Sequence, residues 1–177
     1  AVELAWTDSR LLAPRVLSDA EPRPQSLALP RFADPHVHLD KAFTWSEAPN
    51  FTGTYDGALA ANLQEHRFRT KEGVLERGDR ALRLACSHGL RALRSHIDSV
   101  GPGAAVSWSA LLELRSRWSH AIELQLVALA PLDYWSSAEG LALAQEVGAN
   151  GGLLGGVLVP PFRAVDVRRH VHAFLDM

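Results

Sequence analysis

"TKEGVLERGDRALRLACSHG", residues 70–89, and "LRALRSHID", residues 90–98, stand back to back, and their reading decides the fold. In the first, Val74, Leu75, Gly78, Ala81, Leu82 and Ala85 recur at the three- and four-residue spacing that lays side chains along one helix face. Gly89 follows, where a helix ends in a left-handed conformation that glycine adopts without strain. In the second, Leu93, Ser95 and Ile97 alternate with Arg94, His96 and Asp98, the period of a strand. The first set is expected to face helices and the second to face the opposite side of a sheet.

The same rhythm runs outward in both directions. "ADPHVHLD" (33–40) reads as a strand and "YDGALAANLQEHRF" (55–68) as a helix. "SWSALLELRSRWSHA" (107–121) reads as a helix whose first serine is a candidate N-cap. "IELQLVALAP" (122–131) reads as a strand, "SAEGLALAQEVGAN" (137–150) as a helix, "GGLLGGVLVPP" (151–161) as a Gly-rich strand and "AVDVRRHVHAFLDM" (164–177) as a helix. Four strand-then-helix units in series predict an α/β fold with a parallel sheet. A full eight-unit (β/α)8 TIM barrel needs about 250 residues, so four units correspond to half of one. A smaller open α/β sheet stays open as the alternative. Residues 1–33, with the Pro- and charge-rich "SDAEPRPQ" (18–25), read as an N-terminal irregular or β segment leading into the barrel units of 34–177.

Composition narrows the function classes. The chain has 177 residues, a formal net charge of -2 and one cysteine. Scattered arginines give no stripe for nucleic acid. No apolar run reaches the ~18 residues of a membrane span. Cys86 alone excludes an intrachain disulfide framework, fits a cytoplasmic compartment, and reads as a small buried hydrophobe. The N-terminus carries neither a signal-peptide pattern nor an initiator Met, as expected of a chain that is processed or cut from something longer. No Gly-x-Gly-x-x-Gly turn follows the first strand, which argues against a dinucleotide site.

His-Val-His occurs twice, at 36–38 and 170–172. On a strand, residues i and i+2 point to one side, so His36 and His38 project together, with Asp34 and Asp40 on the same parity and Val37 and Leu39 opposite. Two neutral nitrogens on one face suit a divalent metal such as zinc. On a helix, i and i+2 lie about 200° apart. His170 and His172 are therefore expected to be a helical surface pair beside the apolar face of Val167, Val171, Phe174 and Leu175. His66, His88 and His120 occupy helical or helix-end positions and are read as non-catalytic. Trp108 and Trp118 read as core or interface, and Phe43 and Trp45 as packing or as the wall of a pocket for a flat ring.

The stretch Pro30, Arg31, Phe32, Ala33, Asp34, Pro35, His36, Val37, His38 resembles the first barrel strand of the amidohydrolase superfamily, Pro-Gly-(Phe/Leu)-(Val/Ile)-Asp-x-His-x-His. Leu39, Asp40 and Lys41 narrow the resemblance to the cytosine deaminase-like branch. "LRSHIDSVGPG" (93–103), "QLVALAPLDYW" (125–135) and "GANGGLLGGVLVPP" (148–161) are similar, in order, to that branch's second-, third- and fourth-strand motifs. The resemblance covers residues 27–177. It implies a barrel flanked by a small β-sandwich and one divalent metal ion, zinc or iron, with His36 and His38 among its ligands. It also implies hydrolysis of a C–N bond in a cyclic amide or amino-heterocycle by metal-activated water. The remaining ligands, and the Glu and His that move protons, match nothing here, so the chain alone is expected to be inactive. Arg31 stands where the family has Gly. Leu132 stands where it has a substrate-recognising Gln, which argues against cytosine itself.

Asp40, Lys41, His96 and Asp98 are candidate substrate contacts or supports of the metal ligands. The bland alternatives are a local Asp40–Lys41 ion pair and a buried polar network around His96 and Asp98. Two rival functions remain. One is a non-catalytic half-barrel that pairs with a second copy or a complementary half, because open strand edges invite pairing. The other is a metallophosphoesterase-like His-x-His enzyme, with Arg94 and Lys41 as its phosphate cluster.

Overall fold

A computed structural model of the chain describes residues 1–8, 10–23, 25–158 and 164–177. It separates into two compact units, Ala1–Pro30 and Arg31–Met177. The first holds four two-residue strands: β1 (Val2–Glu3) pairs antiparallel with β4 (Arg15–Val16), and β2 (Trp6–Thr7) with β3 (Arg10–Leu11). An exposed ion pair, Arg15 to Glu3 at 2.7 Å, bridges β1 and β4.

The second unit is half of a TIM barrel. Its strands β5 (Phe32–Val37), β6 (Leu90–Asp98), β7 (Glu123–Pro131) and β8 (Leu153–Val157) lie in chain order in one parallel sheet. Between them run α1 (Tyr55–His66), α2 (Lys71–Ser87), α3 (Ala104–Trp118) and α4 (Ala138–Ala149), and α5 (Ala164–Leu175) follows β8. Parallel neighbours need such crossovers. Val159, Pro160 and Pro161, the end of the expected Gly-rich strand, lie outside the described residues.

Local chemistry sets the helix ends. Thr54, Thr70 and Ser137 each accept a hydrogen bond from the N–H three residues on, at 3.1, 3.1 and 3.0 Å, as N-caps do. Gly89, at φ 85°, ends the α2 turn as expected. One expectation fails. α3 starts at Ala104, three residues before Ser107, and its cap Gly103 offers no side chain. Ser107 is instead buried and accepts a hydrogen bond from Arg69 at 2.8 Å.

The core lies between the sheet and its helices. Leu93, Ser95 and Ile97 of β6 and Leu124, Leu126, Ala128 and Ala130 of β7 are buried there. Val74 and Leu82 of α2 meet Leu111 and Leu114 of α3 in the same cluster. Gly78 permits that approach: a Cβ on it would lie 2.5 Å from Leu114 Cδ1. The opposite parity of β6, Arg94, His96 and Asp98, is only partly buried and forms the inner wall, as the alternation predicts.

Candidate metal and substrate site

β5 brings the first histidine pair to the C-terminal end of the sheet, with a correction to the expected geometry. Pairing runs from Asp34↔Leu93 to Val37↔Ser95, three steps on β5 against two on β6. That extra residue is a bulge, and Pro35, which has no N–H to offer, sits inside it. Asp34 therefore does not join the histidines; its Oδ1 accepts the His36 N–H at 3.1 Å. The strand ends at Val37, and Leu39–Lys41 form one turn of 3₁₀ helix. The turn overturns the expected parity at Asp40 as well. Asp40 is fully buried and accepts a hydrogen bond from Arg69 at 2.9 Å, away from the histidine rings' shared face.

The bulge leaves the histidines together. His36 and His38 stand edge to face with ring centroids 5.2 Å apart, and His96 stacks on His36 at 3.9 Å. His38 Nδ1 lies 2.9 Å from the backbone carbonyl of His96. A carbonyl only accepts, so Nδ1 carries the proton and donates, leaving Nε2 with its lone pair free. Burial and the nearby Lys41 charge push the His38 pKa down. Burial and the neighbouring histidines do the same to His96. Neutral imidazoles with a fixed tautomer are what a metal ligand requires.

His36 and His38 thus fit a divalent cation in kind. Among the described residues no cluster of three or more His, Cys, Asp or Glu side chains is arranged to hold a metal ion. Among the described residues the fit is that of a partial donor set.

Lys41 and Asp98 form an ion pair beside the histidines, each about one-fifth exposed. Asn62 of α1 donates to the same Asp98 oxygen at 2.8 Å. Burial would raise the Asp98 carboxyl, but the Lys41 charge and the two donated bonds bring it below its ordinary value. The alternative reading, a local Asp40–Lys41 ion pair, does not form among the described residues: the two charges take different partners, Arg69 and Asp98. Lys41, Phe43, Thr44, Trp45 and Asn62 line a groove next to this pair. Trp45 stands exposed, edge-on to Phe51 at 6.3 Å, while Phe43 carries the Arg80 guanidinium 4.3 Å from its ring centre. Arg94 points inward but is held by Gln125 of β7 through two hydrogen bonds, 2.9 and 2.7 Å. Leu132, just past β7, lies over Gly156 of β8, where a Cβ would come within 2.3 Å of it. His170 and His172 sit on α5, with His172 exposed, as helical spacing requires.

Four participants were not legible from spacing. Asn62 lies on a helix of weak amphipathic pattern. Glu65 and Arg69 look like an i,i+4 surface pair yet are buried. His66 is buried, and its Nε2 has no hydrogen-bond partner among the described residues. It fills the turn after β6, where a Cβ on Gly103 would lie 2.7 Å from its ring.

Burial, then the Arg69 charge, lowers the His66 pKa. The unfolded chain takes up protons on its histidines near pH ~6.5 while the folded chain resists. Stability contributed by His66, His38 and His96 is therefore complete above about that pH and lost as pH falls below it. Thermal unfolding midpoints should be flat above pH 7 and fall between pH 6.5 and 5. His66→Gln should flatten that fall; an unchanged slope would count against His66 as a contributor.

Comparison with known proteins follows the same lines. No protein-family model matches the chain. The chain is 38% identical over 147 residues to a pterin deaminase of Rhizobium rhizogenes, covering 82% of this chain and 33% of that protein. It is 28% identical over 138 residues to an N-isopropylammelide isopropyl amidohydrolase of a Pseudomonas species, covering 75% and 34%. The chain thus spans about a third of the length of the curated relatives it matches. Its fold is like that of 5-methylcytosine deaminase from Klebsiella pneumoniae. The TM-score is 0.81 at 22% identity in the phosphonocytosine-liganded crystal structure, covering 99% of this chain and 45% of that one. With 5-fluorocytosine bound the TM-score is 0.68, at 18% identity, covering 94% and 51%. The half-barrel and these relatives together place the chain in the amidohydrolase superfamily.

Proposed function

We propose that this chain is the N-terminal portion of a metal-dependent amidohydrolase or deaminase that hydrolyses a C–N bond in a cyclic nitrogen compound. The observation that carries the reading is the convergence of His36, His38 and His96 at the strand ends, with His38 held as the Nδ1–H tautomer. The names of the two curated relatives, a deaminase and an amidohydrolase, support the reaction class. Both are enzymes, which weighs against a non-catalytic half-barrel.

His36 and His38 would hold a zinc or iron ion. When bound, such an ion supplies Lewis-acid activation of water at neutral pH. The chain's own residues do the rest of the local work. The His96 carbonyl orients His38, and Asp98 holds the Lys41 ammonium beside the groove. Lys41, with three donors, is placed to meet a carbonyl or ring nitrogen of the substrate. Leu132 presents an apolar surface where a pyrimidine-binding amide would stand in the family, so an amino-heterocycle other than cytosine is favoured. The other ligands and the acid–base groups then belong to the part of the relatives' length that these 177 residues do not span. No described helix is long and apolar enough to cross a membrane.

The test is metal content by plasma mass spectrometry on the full-length protein, with His36→Ala and His38→Ala beside it. Bound metal should drop to about a tenth or less in either variant, the loss expected when a ligand is removed from a site of few donors. Undiminished metal in both would remove the ligand assignment.

A further inference from the structure

We propose that Arg69, with Arg77 and Glu65 behind it, is a positioning residue: it aims the turn after the histidine pair and so sets where His38 and Lys41 stand. The inference rests on the reading of His36 and His38 as metal ligands.

Four consecutive residues are each tied down, and not to the same side. His38 Nδ1 donates to the His96 carbonyl at 2.9 Å, and the Leu39 N–H donates to Ser95 Oγ at 3.1 Å, both on β6. Lys41 pairs with Asp98, again on β6. Asp40 alone is pulled towards the helices. Its carboxylate accepts from Arg69 at 2.9 Å and its backbone carbonyl from Arg77 Nε at 2.7 Å. Arg69 has no exposed side-chain surface, and its other N–H groups go to Glu65 and to Ser107 Oγ. Arg77 completes the set with a 2.6 Å bond to Glu65 Oε1. Two carboxylates and two guanidiniums balance in charge.

Direction is what this arrangement supplies. In a 3₁₀ turn successive side chains stand about 120° apart. Turning Asp40 towards α2 and α3 therefore dictates where its neighbours Leu39 and Lys41 point, and His38 one step earlier is held from the same turn. A planar guanidinium fork fixes the direction of a carboxylate in a way that an ammonium or an apolar side chain does not. Buried ion networks are often no more stabilising than apolar packing of the same volume. A network clamped to both the carboxylate and the carbonyl of the residue two positions after a ligand is accounted for by geometry.

The experiment uses the full-length protein with Arg69→Lys and Arg77→Met, both milder than truncation. Two quantities are read: the dissociation constant and visible spectrum of cobalt(II) at the site, and the ¹⁵N histidine spectrum of the metal-free protein. Each variant should keep its near-ultraviolet circular dichroism, weaken cobalt binding by about tenfold or more, and replace the single Nδ1–H form of His38 by a mixture of tautomers. Folded variants that hold cobalt within twofold of the parent and keep one His38 tautomer would overturn the proposal. If Arg69→Lys fails to fold, Arg77→Met decides by the same two readouts. Failure of the site reading looks different: His36→Ala would bind cobalt undiminished. The His38 tautomer in the metal-free variants would then judge the positioning role by itself.

Discussion

Arg69→Ala should destabilise the chain by about 3–5 kcal/mol, the range for removing one partner of a buried ion pair. The loss is large because of what stays behind. Asp40 is fully buried and already has one carboxylate oxygen, Oδ1, without a partner among the described residues. Without Arg69 its other oxygen loses the guanidinium 2.9 Å away, and Glu65 keeps only Arg77. Burial already pushes the Asp40 carboxyl up against the pull of Lys41 and Arg69, so in the variant it should take up a proton rather than remain charged. For a chain of this size the unfolding midpoint should fall by roughly 6–20 °C. Arg83→Ala is the control: that arginine also makes a 2.8 Å ion pair, with Asp79, but its side chain is 70% exposed. An exposed pair contributes about 0–1 kcal/mol. Equal losses in the two variants would refute burial as the cause.

Trp135→Ala should cost a comparable ~3–5 kcal/mol, the range for truncating a large buried aromatic side chain. Trp135 is 1% exposed, on the turn that follows β7. Its Nε1 donates to the Gly155 carbonyl of β8 at 3.1 Å, and its ring lies 6.0 Å from that of Phe174 on α5. One side chain therefore joins the end of β7 to β8 and to the last helix. Its removal leaves a cavity and an unpaired carbonyl together, and the surrounding strands can relax only in part. Trp135→Phe keeps most of the ring and loses the bond, so its cost should be smaller by half or more. Urea unfolding with near-ultraviolet detection measures both. A loss under about 1 kcal/mol in Trp135→Ala would show that the site collapses without penalty.

Much of the fold was readable because parallel strands and their crossover helices carry strong local periods. The α2 face from Val74 to Ala85 and the alternation of Leu93, Ser95 and Ile97 arise from burial of one side of each element, which any register of the neighbours preserves. The start of α3 was misplaced because Ser107 resembles a cap in sequence, while its hydroxyl serves Arg69, 38 residues earlier. No local pattern records such a contact. The first strand failed in a related way. Its alternation placed His36 and His38 together, which the structure keeps, but it also placed Asp34 and Asp40 beside them. The bulge at Pro35 and the turn after His38 moved both carboxylates elsewhere.

The sequence by itself determined the order of strands and helices, the parallel α/β class, and the pairing of His36 with His38, because each follows from spacing along a few residues. Tertiary structure alone decided that His96, already a candidate by its parity, stacks on His36, that Lys41 takes Asp98 rather than Asp40, and that Asp40 turns into a buried cage with Arg69, Arg77 and Glu65. Those outcomes depend on which charges meet across gaps of tens of residues, and on the cost of leaving any of them buried without a partner.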